Sequence, residues 1–172
     1  MPSVSTFRCA SCGAEHEGPP LSYGALAPVG WETLPDSFER VLGGEQAMLV
    51  QDGTPVAWFL KGNIDIPLID VGGVFSWTVW VSLSEESFNR VSDRWLAPDR
   101  GDDPPYFGWL RTELPVYPQC TVLKTMVHSR APGVRPFIEI EHTDHQLSVE
   151  QRTGITMQRV EEIAASLMHG SG

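Results

Sequence analysis

The residues best suited to chemistry lie at 7–16, which read Phe-Arg-Cys-Ala-Ser-Cys-Gly-Ala-Glu-His. Cys9 and Cys12 stand two residues apart, a spacing that lets one tight turn aim two thiolates at a single tetrahedral ion. Gly13 tolerates the chain reversal that follows, and His16 offers a third soft ligand. The expected cofactor is a structural Zn2+. A thiol oxidoreductase working through Cys9 and Cys12 is one rival, but such a dithiol normally opens a helix whose N-terminus lowers the thiol pKa. Here Gly18-Pro19-Pro20 breaks any helix early. Two reduced surface thiols without a ligand are the remaining reading.

A complete tetrahedral site needs a fourth ligand, and Cys120, His128, His142 and His145 are the candidates. Cys120 is the softest and so chemically the best suited to zinc. If His16 is not a ligand, two of these four would complete the shell. The run Glu139-Ile140-Glu141-His142-Thr143-Asp144-His145 supports a different reading. There, His142, Asp144 and His145 would form an open site carrying a water for metal-dependent hydrolysis. Strand alternation and a helix cap at Asp144 explain the same residues without metal, and no H-E-x-x-H occurs in the chain. Asp99-Arg100-Gly101-Asp102-Asp103 lacks calcium-loop spacing. No G-x-S-x-G, phosphate-binding loop or G-x-G-x-x-G is present.

These groups must be held by ordinary elements, and the pattern of the chain supplies them. Residues 74–83 alternate, with Phe75, Trp77, Val79 and Val81 on one face and Ser76, Thr78, Trp80 and Ser82 on the other. That is a half-buried antiparallel strand, and Trp80 on its polar face reads as an exposed ring suited to an interface. Shorter strands are expected at 47–51 and 56–61, with Asp52-Gly53 as a hairpin turn between them. Further strands are expected at 64–71, 106–110, 122–128 and 137–141. The segment starting at Pro35-Asp36-Ser37 reads as a short helix carrying Phe38, Val41 and Leu42, stopped by Gly43-Gly44. Ser84 caps a helix over 84–97 whose Phe88, Val91 and Trp95 face the sheet. Two more helices fill 145–169: one is stopped by Gly154, and the other is capped by Thr156 and striped with Val160, Ile163, Ala164 and Leu167. Strands with interposed helices but no regular βαβ alternation predict an α+β fold with a mostly antiparallel sheet. The expected organisation is one domain over 1–172, with a zinc-knuckle-like turn in 1–20, the sheet in 45–141 and C-terminal helices in 145–169.

The formal charge of −10 sets a field that repels phosphate backbones, so a general nucleic-acid binder is disfavoured. Three cysteines close no disulfide framework. No basic segment followed by an apolar run opens the sequence, and no window reaches the ~20 apolar residues of a membrane span. The cytoplasm is the expected location.

The assembled pattern resembles an uncharacterised bacterial family, DUF2199. The resemblance rests on Phe7-x-Cys9-x-x-Cys12-Gly13-x-x-His16 and on Trp77-x-Val79-Trp80-Val81-Ser82-Leu83-Ser84. It continues through Tyr106-Phe107-Gly108-Trp109-Leu110, Arg135-Pro136-x-Ile138, and His145-x-Leu147 leading to Gln151 and Gly154-Ile155-Thr156. It implies a small bacterial protein and supplies no activity or catalytic residue. The chain departs from the family pattern over about 39–61, with Ala47-Met48 where the family tends to place a cysteine, and with Gln146 in place of a usual proline. The first departure removes one possible ligand; the second touches only a helix start. Because His145 sits in a matched piece beside Asp144, it is the preferred fourth ligand, giving a metal set of Cys9, Cys12, His16 and His145. The expected function is a zinc-stabilised binding or interaction module that meets a basic protein partner through its acids, in one version by mimicking phosphate.

Overall fold

The computed structural model describes residues 6–9 and 12–169. Residues 1–5, 10, 11 and 170–172 lie outside the described residues, although the expected 1–20 knuckle and the 1–172 domain include them. In chain order the strands and helices are β1 (Thr6–Arg8), β2 (Glu15–Glu17), β3 (Ser22–Gly24), β4 (Phe38–Leu42), β5 (Gln46–Gln51), β6 (Thr54–Pro67), β7 (Val74–Leu83), α1 (Glu85–Asp93), β8 (Tyr106–Leu110), β9 (Lys124–His128), β10 (Phe137–Ile140), α2 (Gln146–Thr153) and α3 (Met157–His169). Short 3-10 turns occupy Trp31–Thr33, Arg100–Asp102 and Cys120–Val122.

The fold is α+β, and its centre is a closed barrel. β6 and β7 form a long antiparallel hairpin from Trp58 opposite Leu83 to Pro67 opposite Val74. β7, β8, β9 and β10 continue as an antiparallel meander. β10 then returns parallel to β6, with Phe137 opposite Asn63, and closes the ring. Closure was not anticipated from the alternation alone, because alternation identifies faces and not partners. Gly62 permits it: a Cβ there would stand 2.5 Å from Ile138 Cδ1 and 2.9 Å from the Pro136 carbonyl. Beyond the barrel, β5 and β4 extend the sheet from the first half of β6, and β3 adds a parallel strand to β7.

Several expectations need correction. The predicted 56–61 and 64–71 strands merge into one 14-residue strand, β6, which ends at Pro67, and 69–71 form a turn. The predicted helix after Pro35-Asp36-Ser37 is strand β4, paired with β5 from Phe38 opposite Gln51 to Leu42 opposite Ala47. Phe38, Val41 and Leu42 do match helical spacing, but so few residues cannot offset helix nucleation, whereas β5 offers a free edge. Gly43-Gly44 accordingly turns a hairpin, with Gly43 N–H donating to Gln46 O at 2.8 Å. The helix expected over 84–97 ends at Asp93, although Ser84 caps it as read, accepting from Ser87 N–H at 3.1 Å. Asp52-Gly53 is the hairpin turn expected, with φ of 51° and 77°.

Two faces of the β6–β7 hairpin bury two clusters. Leu60, Ile64, Ile66, Phe75, Trp77, Val79 and Val81 pack with Leu110, Val127, Ile138 and Ile140 and with Leu147, Val160 and Ile163 of the helices. On the opposite side Trp80 packs with Trp31, Ala47, Leu49 and Phe59. Trp80 is therefore not an exposed interface ring. It is fully buried, its indole N–H donates to Ala25 O at 3.1 Å, and Lys61 Nζ lies 5.0 Å from its ring centroid. The polar residues that flank Trp80 disguised a second apolar layer brought by β5 and the 25–34 segment. None of the described helices is long and apolar enough to cross a membrane.

Candidate metal centre

β1 and β2 form a small antiparallel hairpin with Thr6 opposite Glu17, Phe7 opposite His16 and Arg8 opposite Glu15. Its ladder runs on through the cysteine turn: Cys9 N–H donates to Ala14 O at 2.9 Å and Gly13 N–H to Cys9 O at 2.8 Å. Gly13 sits at φ 71°, where a Cβ would meet no neighbour; backbone conformation, not space, is what selects glycine. Arg8 Nε donates to Gly13 O at 3.0 Å and ties the turn to β1.

Phe7 and Cys9, two apart in an extended segment, share a face, and that face is buried against Ala164 and Ala165 of α3. The two alanines let the hairpin approach the helix closely. One turn further along α3 stands His169, and its imidazole comes within 6.3 Å, centroid to centroid, of His16. Cys12 Sγ lies 3.4 Å from His16 Nε2. The ligand atoms of Cys9, Cys12, His16 and His169 all lie within 4.8 Å of one another. Edges of a tetrahedral zinc with two sulfurs and two nitrogens measure about 3.3–3.8 Å, so a small contraction of this group encloses such an ion. His169 is the last residue of α3. Cys9 is buried while Cys12 and His169 are exposed, so the group opens to solvent on one side.

Three of the four residues that sequence reading selected for the site thus come together, and His145 stands elsewhere. It is the N-cap of α2, where its Nδ1 accepts from Leu147 N–H at 3.1 Å and its Nε2 meets Pro118 O at 2.5 Å. The cap expected at Asp144 is therefore made by His145, and both of its ring nitrogens are engaged. His142, Asp144 and His145 form no ligand group among the described residues. Cys120 is 2 % exposed, and its sulfur accepts from Leu114 N–H at 3.1 Å. Burial raises its pKa. His128 lies 3.7 Å from Glu139 on the outer barrel face. The residue that sequence reading missed is His169. A signal existed in Ala164-Ala165, a pair of small residues in the C-terminal stripe that marks close approach of another element, with a histidine one turn later.

The cysteine pair does not open a helix. Cys9 directly follows β1, Cys12 lies in the turn, and β2 comes next. The helix dipole that lowers the pKa of redox dithiols is absent from this arrangement.

No curated protein and no solved structure matches the chain. A family model described as "Uncharacterized protein conserved in bacteria (DUF2199)" matches residues 8–155, which include Cys9, Cys12 and His16 and stop short of α3. Spanning the barrel, the cysteine turn and α2, that match assigns the chain to the DUF2199 family.

Proposed function

We propose that Cys9, Cys12, His16 and His169 hold one structural Zn2+, and that the protein is a metal-stabilised binding module with an acidic surface. The observation that carries this reading is the convergence of two thiolates and two imidazoles from opposite ends of the described chain. Four protein ligands fill a tetrahedral shell and leave no position for a reactive water, which favours a structural over a hydrolytic ion. The role of the ion follows from what it joins: a two-stranded hairpin too small to fold alone, and the last turn of α3. The net charge of −10 then suits a basic protein partner, approached by electrostatic steering.

Elemental analysis of purified protein tests the metal. One zinc per chain is expected, lost in Cys12→Ser and in His169→Ala and retained in His145→Ala. A metal-free native protein whose melting is indifferent to chelator would end the reading. For the partner, co-purification that dissolves as salt rises is expected, and salt-insensitive association would count against it.

A further inference from the structure

A cavity of about 480 Å³ lies far from the cysteine turn in the sequence, lined by Glu45, Asn63, Trp95, Arg100, Val134 and Arg135 together with Gly133. Its size falls within the range of small-molecule sites, about 300–1,000 Å³. Arg100 is 4 % exposed, and its guanidinium lies 4.7 Å from the Trp95 ring centroid. Backbone carbonyls fix it: Nε donates to Arg130 O at 2.6 Å, Nη1 to Trp95 O at 2.7 Å, and Nη2 to Ala131 O and Val134 O at 3.1 and 2.9 Å. No carboxylate pairs with Arg100 among the described residues, so carbonyl dipoles solvate a buried cation without neutralising it.

The neighbouring charges leave that cation in excess. Arg135 donates from Nε and Nη2 to the two oxygens of Glu45 at 2.8 and 2.9 Å, and Arg130 pairs with Asp65 at 2.9 Å. The cavity lining thus holds two arginines against one acid, in a chain that is strongly negative as a whole. Donors are in excess too. Asn63 Oδ1 already accepts from Thr78 Oγ1 at 2.9 Å, while Asn63 Nδ2 and Arg135 Nη1 have no protein acceptor among the described residues. One net positive charge, spare donors on planar groups, and Trp95 and Val134 as apolar wall describe a counterpart with one planar anionic head and an apolar body.

We propose that this cavity binds a small organic monocarboxylate, independently of the metal reading. The carboxylate takes the spare donors of Arg135 and Asn63 in the field of Arg100, and its apolar part lies against Trp95 and Val134. Glu45, already bound to Arg135, fixes that guanidinium in place.

Calorimetric titration of the full chain, as purified, with benzoate, benzamide and inorganic phosphate tests the proposal. Saturable benzoate binding is expected, with benzamide and phosphate at least about tenfold weaker, the worth of one charged hydrogen bond. Arg135→Gln should weaken benzoate by a similar factor. Val134→Trp, at a half-exposed position, should block the cavity without touching a donor or lowering the melting temperature. The proposal is overturned by absent benzoate binding, by equal affinity for benzamide, by preference for phosphate, or by binding that survives Val134→Trp unchanged.

Discussion

Cys9 and Cys12 are unequal partners, because one is buried against α3 and the other faces water. Replacing Cys12 by serine removes a proposed ligand and little else. Replacing Cys9 by serine also places a hydroxyl in the apolar contact with Ala164 and Ala165. Cys9→Ser should therefore melt lower than Cys12→Ser even when both are compared without metal. His145→Ala separates metal from packing in the other direction. It should keep its metal and lose the α2 cap, a cost of about 1 kcal/mol seen in denaturant unfolding. At alkaline pH the buried acids take over. Burial raises Tyr117, Tyr23, Tyr106 and Cys120, and for Tyr117 the bond it donates to Glu150 adds to that effect. A raised value for these groups means that the fold favours their protonated forms. Stability from this source is full below their ordinary values, 9.0 for the thiol and 10.0 for the phenols, and falls as pH rises through the folded ones. Melting temperature should decline between about pH 9 and about pH 11, and less steeply in Tyr117→Phe.

Among the elements, those with one clear periodicity and an unambiguous boundary were legible from sequence. β7 and β8 run over the residues expected, Gly154 ends α2, and Thr156 Oγ1 accepts from Arg159 N–H at the start of α3. What failed was the assignment of five residues, 38–42, whose spacing satisfies a helix and whose pairing partner decides for a strand. The second side of β7 failed for a related reason: Trp80 among serines and threonine looks exposed until β5 and Trp31 are placed over it. Barrel closure was hidden because it depends on the missing side chain of Gly62 and not on any residue with a pattern of its own. Gly62→Ala should force Ile138 and the Pro136 carbonyl away and loosen the β6–β10 seam, at a cost of about 1–3 kcal/mol in denaturant unfolding. Trp80→Ala should cost more, about 3–5 kcal/mol, since a fully buried ring leaves a cavity beneath the 25–34 segment.

For the whole molecule, the proposed metal group joins residues near both limits of the described chain. That relation could not be read from spacing, since the cysteine turn announces two ligands and leaves the others to topology. A cross-link over so long a loop removes about 4–5 kcal/mol of unfolded-chain entropy on a loop-closure estimate. Chelation should therefore lower the melting temperature by roughly 10 °C. His169→Ala should melt like the chelated protein and respond no further to chelator.

β6 runs through both cores. The same 14 residues pair with β5 on one side, β7 on the other and β10 beyond, and they contribute to both of the larger hydrophobic clusters. Neither cluster can open without exposing the other, so amide protons of β5, β7 and β10 should exchange together, at the rate of global unfolding. Protons of β1 and β2, a separate two-stranded sheet packed on α3, should exchange first and escape that cooperative unit.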